Sequence, residues 1–205
     1  MPTVSVPIAP PAPADIPDVP IYRLSVEQYH DLLRQNTEAD REPVELLEGW
    51  VVPKMGEDAI HAATVEVVAD LLRQVLPTGW VVRGPHPVTT SDSEPEPDVA
   101  VVRGIVRDYF LRHPTPADAA LVVEVADTSV RQDRGIKRRV YARAGMPAYW
   151  IVVLHERAVE VYAGPSGPAT DPGYAAMRRY ADADRIPVVV DGREVGTVAV
   201  ADLLP

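Results

Sequence analysis

Cysteine is absent from this 205-residue chain, so neither a disulfide framework nor a thiolate metal site is possible. Any bound metal must take carboxylate, carbonyl, imidazole or water ligands, a set that suits a hard ion such as magnesium or manganese. No apolar run approaches the roughly 18 residues needed to span a bilayer. The opening stretch, MPTVSVPIAPPAPADIPDVP, has no basic start and its short apolar pieces are cut by proline, so it reads as neither signal peptide nor membrane anchor. A cytoplasmic location is the expectation by default. Positive charge is also in deficit, with 20 Lys and Arg against 30 Asp and Glu and a formal net charge of -10. That argues against a general duplex binder, because duplex affinity comes largely from basic side chains neutralising phosphates. The GxGxxG, P-loop and nucleophile-elbow patterns are missing, which weakens dinucleotide, NTPase and serine-hydrolase readings. There is no internal repeat.

What is present is the make-up of an ordinary globular protein, 46% hydrophobic and 24% charged, large enough for one substantial core. Residues 1–20 read as a flexible or polyproline-like arm. One domain is expected over 21–205, with its core at about 22–162 and a β-rich extension at about 163–205. Ser25 and Gln28 have capping-box spacing ahead of helically spaced Val26, Tyr29, Leu32 and Leu33, which predicts a helix over 26–34. VELLEGWVV, 44–52, reads as a strand and tight turn around Gly49. Ile60, Thr64, Val67, Val68, Leu71, Leu72 and Val75 mark one face of a helix stopped by Pro77 and Gly79. Short strands are expected at 80–83, 88–90 and 98–102. ALVVEVA, 120–126, is the nearly continuous apolar run of a strand buried on both faces. A helical pattern from Asp133 ends at Gly145 and Pro147, and YWIVVL and AVEVY supply two further strands. This order gives an α/β or α+β fold with a central mixed sheet.

Glu124 is the most informative residue, because a carboxylate inside VVEV is costly to bury unless it binds a cation or is fully hydrogen-bonded. The bland alternative is an edge-strand side chain in solvent, or a pair with a nearby arginine. Asp98 follows Pro97 at the start of an apolar strand, where acids commonly do no more than end a strand. Paired with Glu124 at one end of a sheet, it could supply the oxygen ligands magnesium prefers. Lys137 lies on the next helix, one turn from Tyr141 on the same face. It either belongs to a solvated basic face or points back at the acids, where it could orient a hydroxide or stabilise a phosphorane-like transition state. Between Arg131 and Arg143, six basic residues stand against the single acid Asp133, so a local basic stripe can exist on an acidic protein. His61 could be a metal ligand or general base, but a histidine at a helix start is more often a polar first-turn residue. Glu45 could join the acidic cluster, whereas Glu48, before a turn glycine, is expected to be exposed.

VELLEG, HAA at a helix start, EPEPDVAVV, LVVEVADTSVRQDRGIKRRVYARAGMPAYWIV and AVEVY together resemble the Uma-type (Uma-two) family, a bacterial group of endonuclease-like proteins in the PD-(D/E)XK nuclease superfamily. The likeness covers about 22–162. It implies a restriction-endonuclease-like core and phosphodiester hydrolysis, yielding a 5′-phosphate, around one or two magnesium (or manganese) ions. By this resemblance Asp98 and Glu124 are metal ligands and Glu45 matches the family's early glutamate. The superfamily lysine would stand at position 126, which is Ala126 here, and the resemblance moves its role to Lys137. A second departure is Val153, where relatives tend to carry aspartate. DNA is the expected partner, with Arg131, Arg134 and Arg138 as candidate phosphate contacts and His61 and Tyr141 as accessory residues. A homodimer is expected, since cutting a duplex requires two strands to be cut. The alternatives are a nuclease-fold module acting in protein association, and a hydrolase of small phosphodiesters, which the net charge would suit better.

Overall fold

A computed structural model describes residues 22–35, 43–54, 56 and 58–205, so the arm expected over 1–20 lies outside the described residues. Helix α1 (Val26–Gln35) starts at the expected capping box: the Ser25 amide donates to Gln28 Oε1 and the Gln28 amide donates to Ser25 Oγ. Strands β1 (Val44–Leu47) and β2 (Trp50–Pro53) form the hairpin read from VELLEGWVV. Its two turn residues, Glu48 and Gly49, sit at φ 53° and 80°, the left-handed pair that matches the twist of the flanking strands. Gly49 is required for space as well, since a Cβ there would stand 2.6 Å from that of Arg23. Helix α2 (Ala59–Val75) is capped by Asp58, whose side chain accepts from the His61 amide.

Six strands make the central mixed sheet, in chain order: β3 (Trp80–Arg83), β4 (Val99–Arg103), β5 (Ala119–Ala126), β6 (Ala148–Val153), β7 (Ala158–Pro165) and β8 (Tyr174–Ala181). Neighbours are antiparallel except β5 and β6, which are parallel and therefore need a crossover. The crossover is a continuous helical stretch: α3 (Val130–Gln132), a π turn (Asp133–Lys137) and α4 (Arg138–Arg143). A separate hairpin, β9 (Arg185–Val190) with β10 (Arg193–Ala199), leads into α5 (Val200–Leu203). No helix among the described residues is long and apolar enough to cross a membrane.

Every residue of β5 is buried, as its unbroken apolar run predicts. Val123 and Val125 meet Val68 and Leu72 of α2, together with Ile186, Val198 and Leu203 from the C-terminal elements. Val122 and Ala126 face the other way, into a cluster with Tyr141, Tyr149 and Ile151. The sheet is thus covered on both faces, and residues 186–203 share the α2 cluster.

Three expectations change. Residues 88–90 form no strand: the Val88 amide donates to Pro95 O and the Thr90 amide to Ser93 O, closing a loop on itself. Pro87, Pro95 and Pro97 have no N–H to offer a ladder, so this proline-rich segment folds locally instead. The crossover helix begins at Val130 and not at Asp133. Glu48, expected in solvent, is only 8% exposed. It receives Arg139 through two bonds of 2.7 Å and Arg143 at 2.6 Å, which ties the β1–β2 turn to α4.

These contacts give two predictions. The Arg139 hydrogen bonds, opposed by burial and reinforced by Arg143, lower the Glu48 pKa from 4.5 to about 2. Its contribution is therefore complete above the unfolded value and lost as pH falls from about 4.5 through about 2. Glu48→Gln should cost about 1–3 kcal/mol at neutral pH and flatten the acid limb of urea-unfolding stability over that window; an unchanged acid limb would remove the pair from the stability account. Gly84 passes over the Asp98 carbonyl so closely that a Cβ would lie 2.0 Å from that oxygen. Gly84→Ala should lower stability by about 1–3 kcal/mol by pushing the start of β4 aside, read from the same unfolding curves.

Candidate active site

The antiparallel register pairs Val99 with Val123, so the residues one step further along each strand, Asp98 and Glu124, stand across from each other at one end of the sheet. Asp98 is fixed from the opposite strand: the Val125 amide donates to its Oδ2 at 2.6 Å. Glu124 points to the same face as Val122 and Ala126, toward the crossover helix, where the Tyr141 hydroxyl donates to Oε1 at 2.7 Å. A cleft of about 230 Å³ opens here, walled by Glu45 from β1, His61 from α2, Asp98, Glu124, and Asp133 and Lys137 from the π turn. The six residues come from five different elements whose ends meet at this sheet edge.

Lys137 Nζ lies 3.0 Å from Glu124 Oε2 and 3.5 Å from Glu45 Oε2, with its side chain only 9% exposed. Burial alone would lower the lysine pKa, but Glu124, Glu45, Asp133 and Asp98 together raise it, so it stays an ammonium. Burial, and then Asp98, Asp133 and Glu45, push the Glu124 pKa well up against the pull of Lys137. Lys137 is the one of these influences that favours its charged form. Asp133 is raised to about 6, chiefly by burial, although Ser129 donates to it. Tyr141 is likewise raised by burial first and by Glu124 second, so it is a donor and not a base at any ordinary pH. Glu45 is held by the Glu96 amide at 3.1 Å and by Gln132 Nε2 at 3.2 Å.

The structure brings Glu45, Asp98, Glu124, Lys137, Tyr141 and His61 into one site. His61 is more than a first-turn residue: with its amide held by Asp58, its Nε2 reaches to 3.3 Å from Asp98 Oδ2. Asp133, Gln132, Lys54 and Glu96 also line or rim the cleft and were not singled out from the sequence. Asp133 carried a signal, since it precedes Lys137 by four residues on one helix. Lys54 pairs with Glu96 at 2.8 Å, and EPEP gave no hint which of its acids turns inward. The basic stripe is divided. Arg134 binds Glu160 and Glu156, Arg139 and Arg143 bind Glu48, and only Arg131 and Arg138 lack a carboxylate partner among the described residues. Ala126 and Val153 are both fully buried in the tyrosine-rich cluster, where a charged side chain would displace apolar contacts.

A divalent ion fits this chemistry in one definite way. Four carboxylates surround a single lysine, an excess of buried negative charge that a hard cation would relieve. Among the described residues no three of His, Asp and Glu stand close enough to chelate an ion by themselves. Asp98 and Glu124 are the two that could hold such an ion, with water completing the shell, as magnesium tolerates.

The architecture is similar to that of a solved structure, "a putative nuclease belonging to DUF820" from Anabaena variabilis ATCC 29413, determined at 1.96 Å, which superposes with a TM-score of 0.63 at 16% identity. The match covers 88% of this chain and 97% of that one, which shows a common fold. No curated protein sequence matches. Residues 26–190 match the model of the family Uma2, described as "Putative restriction endonuclease". With most of its length inside that match, the chain belongs to the Uma2 family of restriction-endonuclease-like nucleases.

Proposed function

We propose that this chain is a divalent-metal-dependent endonuclease that hydrolyses phosphodiester bonds in nucleic acid, with DNA as the first candidate. The observation that carries the reading is the buried Asp98–Glu124 pair facing across β4 and β5, with the Lys137 ammonium 3.0 Å from Glu124 in an over-acidic cleft. A divalent ion between the two carboxylates would supply stabilisation for the charge that builds on the phosphoryl oxygens. In the reaction a water oxygen forms a bond to phosphorus, the bond from phosphorus to the 3′-oxygen breaks, and one water proton ends on that leaving oxygen. Lys137 donates toward the attacking water or a phosphoryl oxygen and orients it in line. Tyr141 and the Val125 amide hold the two carboxylates so that they need not reorganise as charge develops. His61 Nε2 lies at the mouth of the same cleft and offers a nitrogen that can hold a proton in transit. Arg131 and Arg138 remain the candidate phosphate contacts on the helix. Arg134 would first have to leave Glu156 and Glu160.

The net charge of -10 favours a second reading, a small phosphodiester as substrate, which needs no extended basic surface. Cleavage of plasmid, single-stranded DNA, RNA and bis(p-nitrophenyl) phosphate at low salt separates the two. Nucleic acid should be cut only with magnesium or manganese, chelation should stop it, and Asp98→Ala or Glu124→Ala should reduce it by about a hundredfold or more. A chelator-resistant rate, or full activity in both variants, would sink the reading. Lys137→Met tests the lysine separately. It should abolish cleavage and cost about 3–5 kcal/mol at neutral pH by leaving Glu124 without its cation. Adding Glu124→Gln should recover most of that stability but no activity, measured by urea unfolding alongside the cleavage assay.

A further inference from the structure

The helix that looked basic in the sequence is largely neutralised at home, yet another surface runs from the rim of the cleft. Lys54 and Glu96 stand on that rim. His86 lies within electrostatic reach of both, and also of Arg83 and His113. The Arg83 guanidinium lies over the Tyr109 ring at 5.0 Å, and that of Arg112 over the same ring at 5.2 Å. Next to this clamped tyrosine, Phe110, the one phenylalanine of the chain, is 70% exposed, and Leu111 is completely exposed. A groove of about 630 Å³ runs between them and His30, Thr89 and His113.

The ridge is rigid where it presents these side chains. A short 3-10 helix (Val106–Tyr109) is closed by Asp108, whose carboxylate accepts from the Ile105 amide at 2.9 Å. The Tyr109 hydroxyl donates to Arg103 O at 2.6 Å. Asp118 holds Arg112 through two bonds of 2.6 and 2.9 Å while half of that arginine stays in water. Arg107 is exposed and has no carboxylate partner among the described residues. Cationic and imidazole donors beside an exposed aromatic face are together the chemistry that suits a strand whose bases are unpaired. Phosphates take the donors and a base face takes the ring, and a base face is available only where the stack is open.

We infer that the ridge from His86 to Leu111 binds single-stranded or locally unpaired nucleic acid as it enters the cleft, with Phe110 stacking on a base and Arg107 on phosphate. This rests on the endonuclease reading only for the direction of the strand, and so it can be tested without cleavage. Fluorescence anisotropy would follow a labelled oligothymidylate of about 15 nucleotides, and a duplex of equal length, in EDTA at low salt. The titrated proteins would be the full chain, Phe110→Ala/Leu111→Ser, and Phe110→Tyr. The full chain should prefer the single strand. The double variant should bind it about tenfold more weakly, and Phe110→Tyr should bind as the wild type does. Manganese-dependent hydrolysis of bis(p-nitrophenyl) phosphate should be the same in all three. Absent or equal strand binding in wild type and double variant overturns the inference, whether or not the protein cleaves DNA. If strand binding stays intact but the double variant alters molecular mass by light scattering, the ridge is a contact between copies and the inference is equally overturned. Ridge-dependent binding by a protein that hydrolyses no phosphodiester leaves the inference standing and removes the endonuclease reading.

Discussion

The buried Lys137–Glu124 pair is the constraint around which the rest of this molecule is arranged. At 3.0 Å, in surroundings that exclude most water, the two charges attract strongly, by about 5–6 kcal/mol if the effective dielectric is near 20. Removing both from water costs several kcal/mol per ion, so the pair is close to neutral as a contributor to stability. An apolar pair of similar volume would hold the sheet to the crossover helix at least as well. What an apolar pair would not provide is a fixed ammonium beside a fixed carboxylate at the floor of a cleft that also contains Glu45, Asp98 and Asp133. The arrangement makes physical sense as chemistry, with stability supplied by the apolar clusters on either side.

Topology explains why these groups can be so close. The parallel pairing of β5 and β6 forces a crossover, and the crossover returns a helix across the face that Glu124 occupies. The π turn lies in that helix where Asp133 and Lys137 line the cleft, and such turns recur where a helix must aim a side chain. Antiparallel pairing of β4 and β5 brings Asp98 opposite Glu124 with no further device. On the other face, the Asp58 cap fixes the first turn of α2 and leaves His61 beside Asp98. The β1–β2 hairpin, the start of α2, the ends of β4 and β5 and the π turn therefore meet at one end of the sheet, which is where polar groups can be gathered without breaking the core.

Much of this could be read from the sequence because burial leaves periodic traces. The eight-residue run of β5, the 3.6-residue spacing of α2 and the Gly49 turn each follow from one local rule, and all three hold. The loop over 85–98 misleads because Val88 is a core residue without being a strand residue; its burial comes from the tyrosine-rich cluster, which no local pattern reveals. β8 hides for the opposite reason, since most of its residues are exposed and carry no alternation. Within the site, Glu124 and Asp98 stand out because each is a charge bordered by apolar residues. His61 and Lys54 also have apolar chain neighbours, but their direction is set by contacts dozens of residues away, with Asp98 and Glu96, while Asp133 sits among polar neighbours in RQDRG. Glu48 is the clearest case: a glutamate before a turn glycine reads as exposed until two arginines, both more than ninety positions on, close over it.

The charge balance of the chain follows from the same long-range pairing. Arginines concentrated on the crossover helix look like a nucleic-acid surface in sequence, but three of them serve to anchor that helix to Glu48, Glu156 and Glu160. Anchoring matters because the helix carries Lys137: if it shifted by even an ångström, the ammonium would leave Glu124 and the cleft would hold uncompensated carboxylates. Basic residues on this protein therefore act first on its own acids, and recognition has to rely on what remains exposed. On an acidic molecule any nucleic-acid contact would therefore draw on few phosphate-binding side chains, and stacking on exposed aromatic groups would have to carry more of the affinity.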